Sequence, residues 1–256
     1  MKAAMRTIEQ PPLNPNEAAL WFLGQAGYVI RSAGVTVAID PYLSNSAAAT
    51  APEFGRLLPV PIEPEDLQVD LWIITHDHLD HLDPETIRRY RHANPTQFVA
   101  PRIAARKLQE LGVPRGQIQR LDSGEEWTWR GLTVRGVFAL PTGPDVLDTT
   151  GYLLRFQNGR SVYHTSDTAF MPLLLKAAPQ GIEVLLVPIN GKWGNLNVEQ
   201  AVELTAAVGP RYVLPNHYDL MALNAENPET FRWFCQQRKL AAQCVIPTVM
   251  KPFVWQ

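Results

Sequence analysis

Three histidines and two aspartates lie within residues 75–81, whose sequence is THDHLDH. His76 and His78 are two positions apart, so on an extended segment both side chains point to the same face and reach the same ion. Asp80 and His81 are adjacent, and they reach one site only if the backbone turns there. Neutral imidazoles and carboxylates bind borderline divalent ions such as zinc, manganese, iron or cobalt. The spacing therefore predicts a metal site, with a solvated polar loop as the alternative interpretation.

The flanking sequence predicts a strand before this cluster and a helix after it. Residues 71–74, LWII, form a short apolar run that is typical of a buried strand. Asp83 is placed to cap a helix, Pro84 suits the first helical position, and Glu85 favours the positive end of the helix dipole. The candidate ligands are therefore expected at a strand end, in the turn that leads into a helix.

Two further candidate ligands lie much later in the chain, each at the end of a predicted strand. Asp167 follows the β-like run 161–165, and His217 follows the run 212–215. Taken alone, Asp167 is equally a turn aspartate, and His217 is equally a core or surface histidine with satisfied hydrogen bonds. Functional groups often gather where strand ends meet at one edge of a fold. A centre with two ions would need these additional ligands.

Together these residues predict a two-ion centre that activates water. We expect one ion to be held by His76 and His78, a second to be held by Asp80, His81 and His217, and Asp167 to bridge the two. A divalent ion lowers the pKa of bound water from ~15.7 toward ~7 and polarises a carbonyl or phosphoryl oxygen. Asp80 has a second predicted role, as the catalytic group that orients the attacking water or takes its proton.

Four other polar residues are candidates for supporting roles. Asp40 ends a predicted strand and is placed to orient a ligand imidazole from the second shell, although an aspartate before a proline is equally a turn former. Gln25 lies in a glycine-containing turn and either faces the substrate or is a plain turn residue. In the segment 188–195, Asn190 is a candidate for binding a substrate hydroxyl and Lys192 for binding a substrate phosphate, with a solvated lysine as the alternative.

The chain resembles the metallo-β-lactamase superfamily of metallo-hydrolases, and within it the L-ascorbate-6-phosphate lactonase family. The resemblance spans nearly all of the chain from Ala18 onward. It implies a four-layer αβ/βα sandwich with the site at one edge, between two sheets. It rests on five segments: residues 21–27, 75–81, 163–167, 215–219 and 251–256.

One histidine that most of the superfamily carries is missing from this chain. Most members have a further ligand histidine between the first motif and the bridging aspartate. Only His92 and His164 fall in that interval. His92 lies on the helix expected after the motif, and His164 points away from Asp167 if the strand is extended. Residues 137–145, where the ligand is expected, contain no histidine. The lactonase family is similar in this respect, so the resemblance allows one ion or two and makes manganese a candidate beside zinc.

The predicted function is a metal-dependent hydrolase that opens a lactone of a sugar acid or sugar phosphate with metal-activated water. Hydrolysis of a phosphodiester or a thioester on the same metal core is the second candidate. A non-catalytic metal-binding protein of the same fold is the third. Assays of the manganese- and zinc-loaded protein against lactones, phosphodiesters and thioesters distinguish the three.

Composition predicts a compact cytoplasmic enzyme that acts on a small molecule. Of the 256 residues, 46% are hydrophobic and 19% are charged, which is sufficient for a core in one domain spanning residues 1–256. The net charge of −2 and the short Lys/Arg runs argue against nucleic acid as a partner. No apolar run approaches the ~20 residues of a membrane span. A homo-oligomer remains open, and Cys235 and Cys244 are expected to be reduced.

The order of apolar runs and turn residues predicts an α/β or α+β fold with ten or more strands. Strands are predicted at residues 18–23, 28–32, 35–39, 69–75, 97–100, 125–129, 132–139, 150–157, 161–165, 183–189 and 212–215. Helices are predicted at residues 84–93, 102–111, 169–178, 197–208 and 228–238.

Overall fold

The computed structural model describes residues 3–10, 12–93, 95–224 and 226–256, which contain two mixed β-sheets of seven strands each. In spatial order the first sheet consists of β14 (Phe253–Trp255), β1 (Ala18–Gly24), β2 (Gly27–Ser32), β3 (Val35–Ile39), β4 (Leu71–Ile73), β5 (Gln97–Ala100) and β6 (Ile118–Arg120). The four strands from β3 to β6 run parallel, so their carboxyl ends lie at the same edge.

The second sheet repeats this arrangement. In spatial order it consists of β13 (Gln243–Cys244), β12 (Tyr212–Asn216), β11 (Val184–Pro188), β10 (Ser161–His164), β9 (Thr150–Arg155), β8 (Leu132–Phe138) and β7 (Glu126–Trp129). Strands β10 to β13 are parallel, and β7 to β10 are antiparallel. The carboxyl ends of the parallel strands therefore present their loops at one edge here as well.

Helices follow the strands and cover the outer faces of both sheets. They are α1 (Ala3–Glu9), α2 (Pro84–Arg89), α3 (Arg102–Glu110), α4 (Pro172–Ala177), α5 (Val198–Val208) and α6 (Pro228–Gln237). The cap predicted for α2 is present, because the Asp83 side chain accepts hydrogen bonds from the backbone N–H groups of Glu85 and Thr86. Within the described ranges, every helix is too short or too polar to cross a bilayer.

Three apolar clusters separate the four layers. Alternate residues of β1 show the pattern, since Leu20 and Phe22 face the core between the sheets while Trp21 and Leu23 face the helices outside the first sheet. A third cluster lies between the second sheet and helices α4 to α6. Strands that are buried on both faces explain the continuous apolar runs in the sequence. The predicted αβ/βα sandwich is confirmed.

The structure corrects several element boundaries. Helix α2 ends at Arg89, so His92 does not lie on it as predicted. The chain leaves the helix because Tyr90 turns into the core, with its ring 4.7 Å from that of Trp72 and its hydroxyl 2.7 Å from Thr96 Oγ1. Helix α1 and the short strands β6, β13 and β14 were not predicted. Edge strands of two or three residues are too short to show a periodic pattern.

Candidate metal centre

The candidate ligands meet at the edge where the two sheets face each other. His76 and His78 follow β4 of the first sheet, and Asp167 and His217 come at the ends of β10 and β12 of the second. Two backbone hydrogen bonds join the sheets at this edge: Thr150 N–H donates to Thr75 O at 3.0 Å, and His217 N–H donates to Gln25 O at 3.0 Å. Residues 75 and 192 positions apart in sequence are therefore held together by main-chain contacts as well as by packing.

The first group of possible ligands consists of His76, His78 and Asp167. Each residue offers one atom, and these atoms lie within 4.8 Å of one another. His76 Nε2 is 3.0 Å from His78 Nδ1. Two ring nitrogens at this separation are placed to bind one ion, since each metal–nitrogen bond is about 2.0–2.1 Å long.

The second group consists of Asp80, His81 and His217, again within 4.8 Å of one another. His81 Nε2 lies 3.8 Å from Asp80 Oδ2 and 3.4 Å from Asp167 Oδ1. His217 Nε2 lies 2.9 Å from the same Asp167 oxygen. Asp167 therefore contacts the second group as well as belonging to the first, which is the position predicted for a bridging carboxylate.

Three buried atoms face one another where the groups meet: His81 Nε2, His217 Nε2 and Asp167 Oδ1. Apart from these mutual contacts they have no hydrogen-bond partner among the described residues. Leaving such atoms unpaired costs free energy unless another partner satisfies them. The residues present therefore fit the divalent ions that the sequence predicts. Their nitrogen and oxygen atoms suit zinc and manganese alike.

Asp40 orients one histidine of each group. Asp40 Oδ2 accepts a hydrogen bond from His81 Nδ1 at 2.7 Å and one from Thr75 Oγ1 at 2.5 Å. Thr75 Oγ1 also lies 3.0 Å from His76 Nδ1 and is placed to accept its proton. Protons on both Nδ1 atoms leave the Nε2 atoms of His76 and His81 available to an ion. Asp40 therefore contacts His81 directly and His76 indirectly, through Thr75, which is consistent with its predicted supporting role.

Burial and charge move the pKa values of the site residues in opposite directions. Burial opposes the charged form of His81, but the carboxylates around it, Asp167 first, outweigh burial and raise the pKa of His81 well above its ordinary value. Burial also opposes the charged form of Asp167, but His217 and His81 outweigh it and hold the pKa of Asp167 well below its ordinary value. Burial, followed by the charge on His81, holds the pKa of His76 well below its ordinary value. The buried carboxylates thus favour a positive charge beside them.

Metal binding is expected to release a proton. Because the pKa of His81 is raised, its imidazole is protonated at neutral pH before an ion binds, and a ligand imidazole must be neutral. Apparent metal affinity should therefore rise with pH across the neutral range and fall on acidification. Calorimetric titration of the metal-free protein in two buffers of different ionisation enthalpy measures the release, with about one proton expected per ion at the second group. Equal heats in the two buffers would contradict the expectation.

Gln25 contacts ligands and not the cavity, in contrast to its predicted substrate role. Its Nε2 donates to Asp80 Oδ2 at 2.7 Å and lies 3.3 Å from His217 Nδ1. The residue is fully buried in the turn between β1 and β2. It therefore positions a carboxylate and an imidazole of the second group.

Asn195 fixes the bridging carboxylate. Its Nδ2 donates to Asp167 Oδ2 at 2.7 Å, while its Oδ1 accepts from Thr168 N–H at 3.0 Å. One Asp167 oxygen is thereby occupied, and the other, Oδ1, is left facing His81 and His217. Asn195 was not predicted from its local pattern, because asparagine is common in loops and its partner is distant along the chain.

Replacing Asn195 by alanine is expected to weaken metal binding by about 10- to 100-fold, the usual effect of losing a partner of a metal ligand. The physical cause is rotation of the unsupported Asp167 carboxylate. Competition with a chelator measures the affinity, and Gln236→Ala, which removes an exposed amide on α6, is the control. An Asn195→Ala protein with unchanged metal affinity would rule out this positioning role.

Asn190 and Lys192 do not lie where the predicted substrate contacts require. Asn190 is buried, and its Nδ2 donates to Asn224 Oδ1 at 2.5 Å. Asn224 Nδ2 in turn lies 3.2 Å from His217 Nδ1, so Asn190 reaches the site only through Asn224. Lys192 is exposed and is not among the residues that line the cavity over the site. The substrate contacts of Asn190 and Lys192 stay predictions, and neither side chain lines this cavity.

Asp145 lies in the segment 137–145, where most of the superfamily has a ligand histidine, and it contacts His78. Asp145 Oδ2 lies 3.2 Å from His78 Nε2, and the Asp145 side chain is 72% exposed. Since His78 Nδ1 faces His76, Asp145 is placed to accept the proton on the other nitrogen. His164 faces away, as predicted: its Nε2 donates to Ala26 O at 3.0 Å, and its Nδ1 accepts from Ser166 N–H at 3.0 Å.

Four residues around the site have left-handed backbone conformations that are uncommon outside glycine. They are Gln25 (φ 55°), Asp40 (φ 42°), Ser166 (φ 64°) and His217 (φ 58°). Each such residue costs on the order of 1 kcal/mol and persists only where its surroundings fix it. These conformations let the strand ends turn sharply enough for the side chains to converge.

A cavity of about 490 Å³ lies over the two groups. Asp80 and Asp167 are at its base, and the walls are mainly apolar. In the part of the chain that the structure describes, its lining includes no lysine or arginine. The lining residues are Ala47, Thr50, Phe54, His78, Leu79, Asp80, Thr142, Gly143, Pro144, Asp145, Asp167, Trp193, Asn195, Met221 and Asn224.

Comparison with known proteins agrees with the fold and the centre. The relative from Hyperthermus butylicus, named UPF0173 metal-dependent hydrolase, is 28% identical over 233 residues, which cover 90% of this chain and 95% of the relative. The relative of the same family name from Thermoplasma acidophilum is 26% identical over 223 residues, with 84% of this chain and 89% of the relative covered.

The fold also matches a solved structure. Igni18, described as a novel metallo hydrolase from the archaeon Ignicoccus hospitalis, aligns with a TM-score of 0.76 and 22% identity, covering 94% of this chain and 99% of that one. The family profile described as "Beta-lactamase superfamily domain" matches residues 36–218, a range that contains both groups of candidate ligands. This match covers well over half of the sequence, so the chain belongs to the β-lactamase superfamily.

Proposed function

We propose that this chain is a metal-dependent hydrolase that cleaves a carboxylic ester, with a lactone as the first candidate substrate. The observation that carries the proposal is the position of Asp167 Oδ1. This atom is buried between His81 and His217 and has no other partner among the described residues, while Asp167 also belongs to the His76–His78 group. The relatives named metal-dependent hydrolases support the reaction class. The resemblance to the L-ascorbate-6-phosphate lactonases contributes the lactone.

In the proposed mechanism the histidines and Asp167 hold the ions, and Asp80 also transfers a proton. When bound, divalent ions at this centre supply an activated water and polarise the substrate carbonyl. Asp80 lines the cavity and has one oxygen held by Gln25, so its carboxylate is aimed at the space where a substrate carbonyl enters. In the proposed reaction Asp80 accepts the proton of the attacking water and returns it to the leaving alkoxide. Asp80 thereby combines the two roles predicted for it, metal ligand and catalytic group.

The lining of the cavity favours an ester over a phosphodiester. A phosphodiester keeps a negative charge that phosphoryl-transfer sites usually meet with arginine or lysine. The walls of this cavity carry Asp145 and, within the described residues, no cationic side chain. An uncharged ester needs no such partner, so it fits the lining better.

An assay of three substrate classes tests the proposal. The protein, loaded with manganese or with zinc, is offered δ-lactones, bis(p-nitrophenyl) phosphate and an aryl thioester, and its metal content is measured by elemental analysis. We expect lactones to be opened with the highest kcat/KM and the activity to be lost when the metal is removed. Turnover of the phosphodiester above that of every carboxylic ester would contradict the proposal, and fully metal-loaded protein without any turnover would favour the non-catalytic alternative.

A further inference from the structure

Two aromatic side chains that contact each other, the exposed Trp193 and the partly buried Phe54, line the cavity over the metal centre; they are called the aromatic pair below. Trp193 is 57% exposed, and its ring centroid lies 5.7 Å from that of Phe54 at an interplanar angle of 50°. Leu79, which is 39% exposed, and Pro144 also line this cavity. Large exposed apolar groups that surround a cavity commonly mark a ligand-binding surface.

Trp193 is held in this position by a constrained turn. Its backbone is left-handed, with φ 57°, and Lys192 O accepts a hydrogen bond from Asn195 N–H at 3.0 Å across the turn. Gly194 allows the loop to approach closely, because a Cβ on Gly194 would collide with Thr142 O. The left-handed backbone at Trp193 is strained, and such strain persists mainly where it serves a function. This distinguishes Trp193 from an ordinary exposed side chain. The turn that presents Trp193 also carries Asn195, which holds Asp167.

We propose that the aromatic pair and Leu79 bind the apolar, uncharged part of the substrate, so that the enzyme acts on lactones or esters with an aliphatic or aromatic substituent. This inference rests on the proposed ester hydrolysis and names the substrate class. A sugar phosphate would bring a negative charge against a lining that contains carboxylates and, among the described residues, no lysine or arginine. Most of the wall area is apolar, so polar groups of the substrate that face it would lose their hydration. An alkyl chain loses no hydrogen bonds there and gains from burial.

The two basic side chains closest in sequence to the aromatic pair, Arg56 and Lys192, do not line the cavity. Arg56 follows Phe54 closely, but its guanidinium donates to the backbone carbonyls of Tyr42 and Leu58. Lys192 precedes Trp193 and is exposed outside the lining. The proposal therefore assigns no role to Lys192, in contrast to the predicted phosphate contact.

The balanced reaction gives a direct assay. Water adds to the lactone carbonyl, the acyl C–O bond breaks, and the ring oxygen leaves as a hydroxyl. The product carboxylic acid ionises to a carboxylate and releases one proton, which a pH-stat records. The chosen substrates share a δ-lactone ring: δ-decanolactone, which carries a pentyl chain, and glucono-δ-lactone phosphorylated on its terminal hydroxyl. We expect the enzyme to prefer δ-decanolactone by about 100-fold or more in kcat/KM.

A binding measurement separates substrate class from catalysis. The probe is the ketone analogue of δ-decanolactone, in which a methylene group replaces the ring oxygen, so that no hydrolysis occurs. Calorimetry with the metal-loaded protein should show saturable binding that Trp193→Ala weakens about tenfold, a change of about 1.4 kcal/mol. Trp233→Ala is the matched control, since Trp233 is 52% exposed on α6, remote from the cavity lining. We expect it to change the affinity less than twofold.

The outcomes distinguish this inference from the proposed function. Binding of the ketone through Trp193 without opening of δ-decanolactone would support the apolar site and refute ester hydrolysis. Opening of the phosphorylated lactone with little binding of the ketone would support ester hydrolysis and overturn the inference. The inference would also be overturned if Lys192→Met abolished binding of glucose phosphorylated on its terminal hydroxyl, or if Trp193→Ala only dissociated an oligomer and left ketone affinity unchanged.

Discussion

Replacing Asp167 by alanine is expected to remove hydrolytic activity and most of the bound metal. Asp167 is the residue whose carboxylate contacts both His81 and His217 and belongs to the His76–His78 group. Without it, two sets of ligands lose a shared negative charge in a buried site, where charge is compensated poorly by solvent. Loss of an essential group of this kind typically lowers kcat by about 10⁴-fold or more. The measurements are kcat/KM with a δ-lactone and metal content by elemental analysis.

The control is Glu203→Ala, which removes an exposed carboxylate on the outer helix α5. It should leave both turnover and metal content unchanged. An Asp167→Ala protein that keeps its full metal content and full turnover would refute the assignment of the centre. His81→Ala should behave in the same way as Asp167→Ala, because His81 belongs to the second group and contacts the same oxygen.

The candidate ligands were predictable because their spacing is local and their chemistry is restrictive. The turn and helix after β4 follow from Asp83 and Pro84, which determine where the helix begins. Asp167 and His217 were predictable as strand-end residues, and the parallel order of β10 to β12 places both ends at one edge. These predictions needed only the period of apolar residues and the types of side chain at the strand ends.

The supporting residues were not predictable in the same way. In the segment 188–195 the sequence suggested Asn190 and Lys192, whereas Asn195 contacts Asp167 and lines the cavity together with Trp193. The choice depends on the left-handed conformation at Trp193 and on the contact of Gly194 with Thr142. Both arise from tertiary packing between distant loops, which a local pattern does not contain.

Asp40 is a case in which the sequence left two interpretations of nearly equal weight. A strand-terminating aspartate before a proline is a common turn former, and this one does turn the chain, with φ 42°. The structure shows that it also accepts hydrogen bonds from His81 and from both the backbone and side chain of Thr75. The two interpretations are compatible, because the turn is what brings the carboxylate under the histidines.

Replacing Asp40 by asparagine is expected to disrupt metal binding by changing which nitrogen of His81 carries the proton. Thr75 N–H donates to Asp40 Oδ1 at 2.8 Å, so an asparagine must place its oxygen there. Its NH₂ group then faces His81 Nδ1, which must be the unprotonated nitrogen in order to accept. In the neutral imidazole the one remaining proton is then on Nε2, the atom offered to the ion. The same change removes the acceptor for Thr75 Oγ1, which holds His76. We expect metal affinity to fall by about 100-fold or more, since both groups of ligands are affected.

Nitrogen-15 NMR of the histidine side chains reports the tautomer directly, and a chelator competition reports the affinity. The matched control is Asp70→Asn, because Asp70 also accepts a backbone hydrogen bond, from Thr36 N–H at 2.9 Å, but contacts no candidate ligand among the described residues. If Asp40→Asn protein stays folded, retains Nδ1–H on His81 and binds metal as tightly as the parent, the carboxylate acts only in the turn. If the tautomer shifts and metal is lost while Asp70→Asn is normal, the carboxylate of Asp40 is what keeps one histidine of each group in its binding form. Asp70→Asn removes the same charge at a position that pairs with Arg130, outside both groups of candidate ligands.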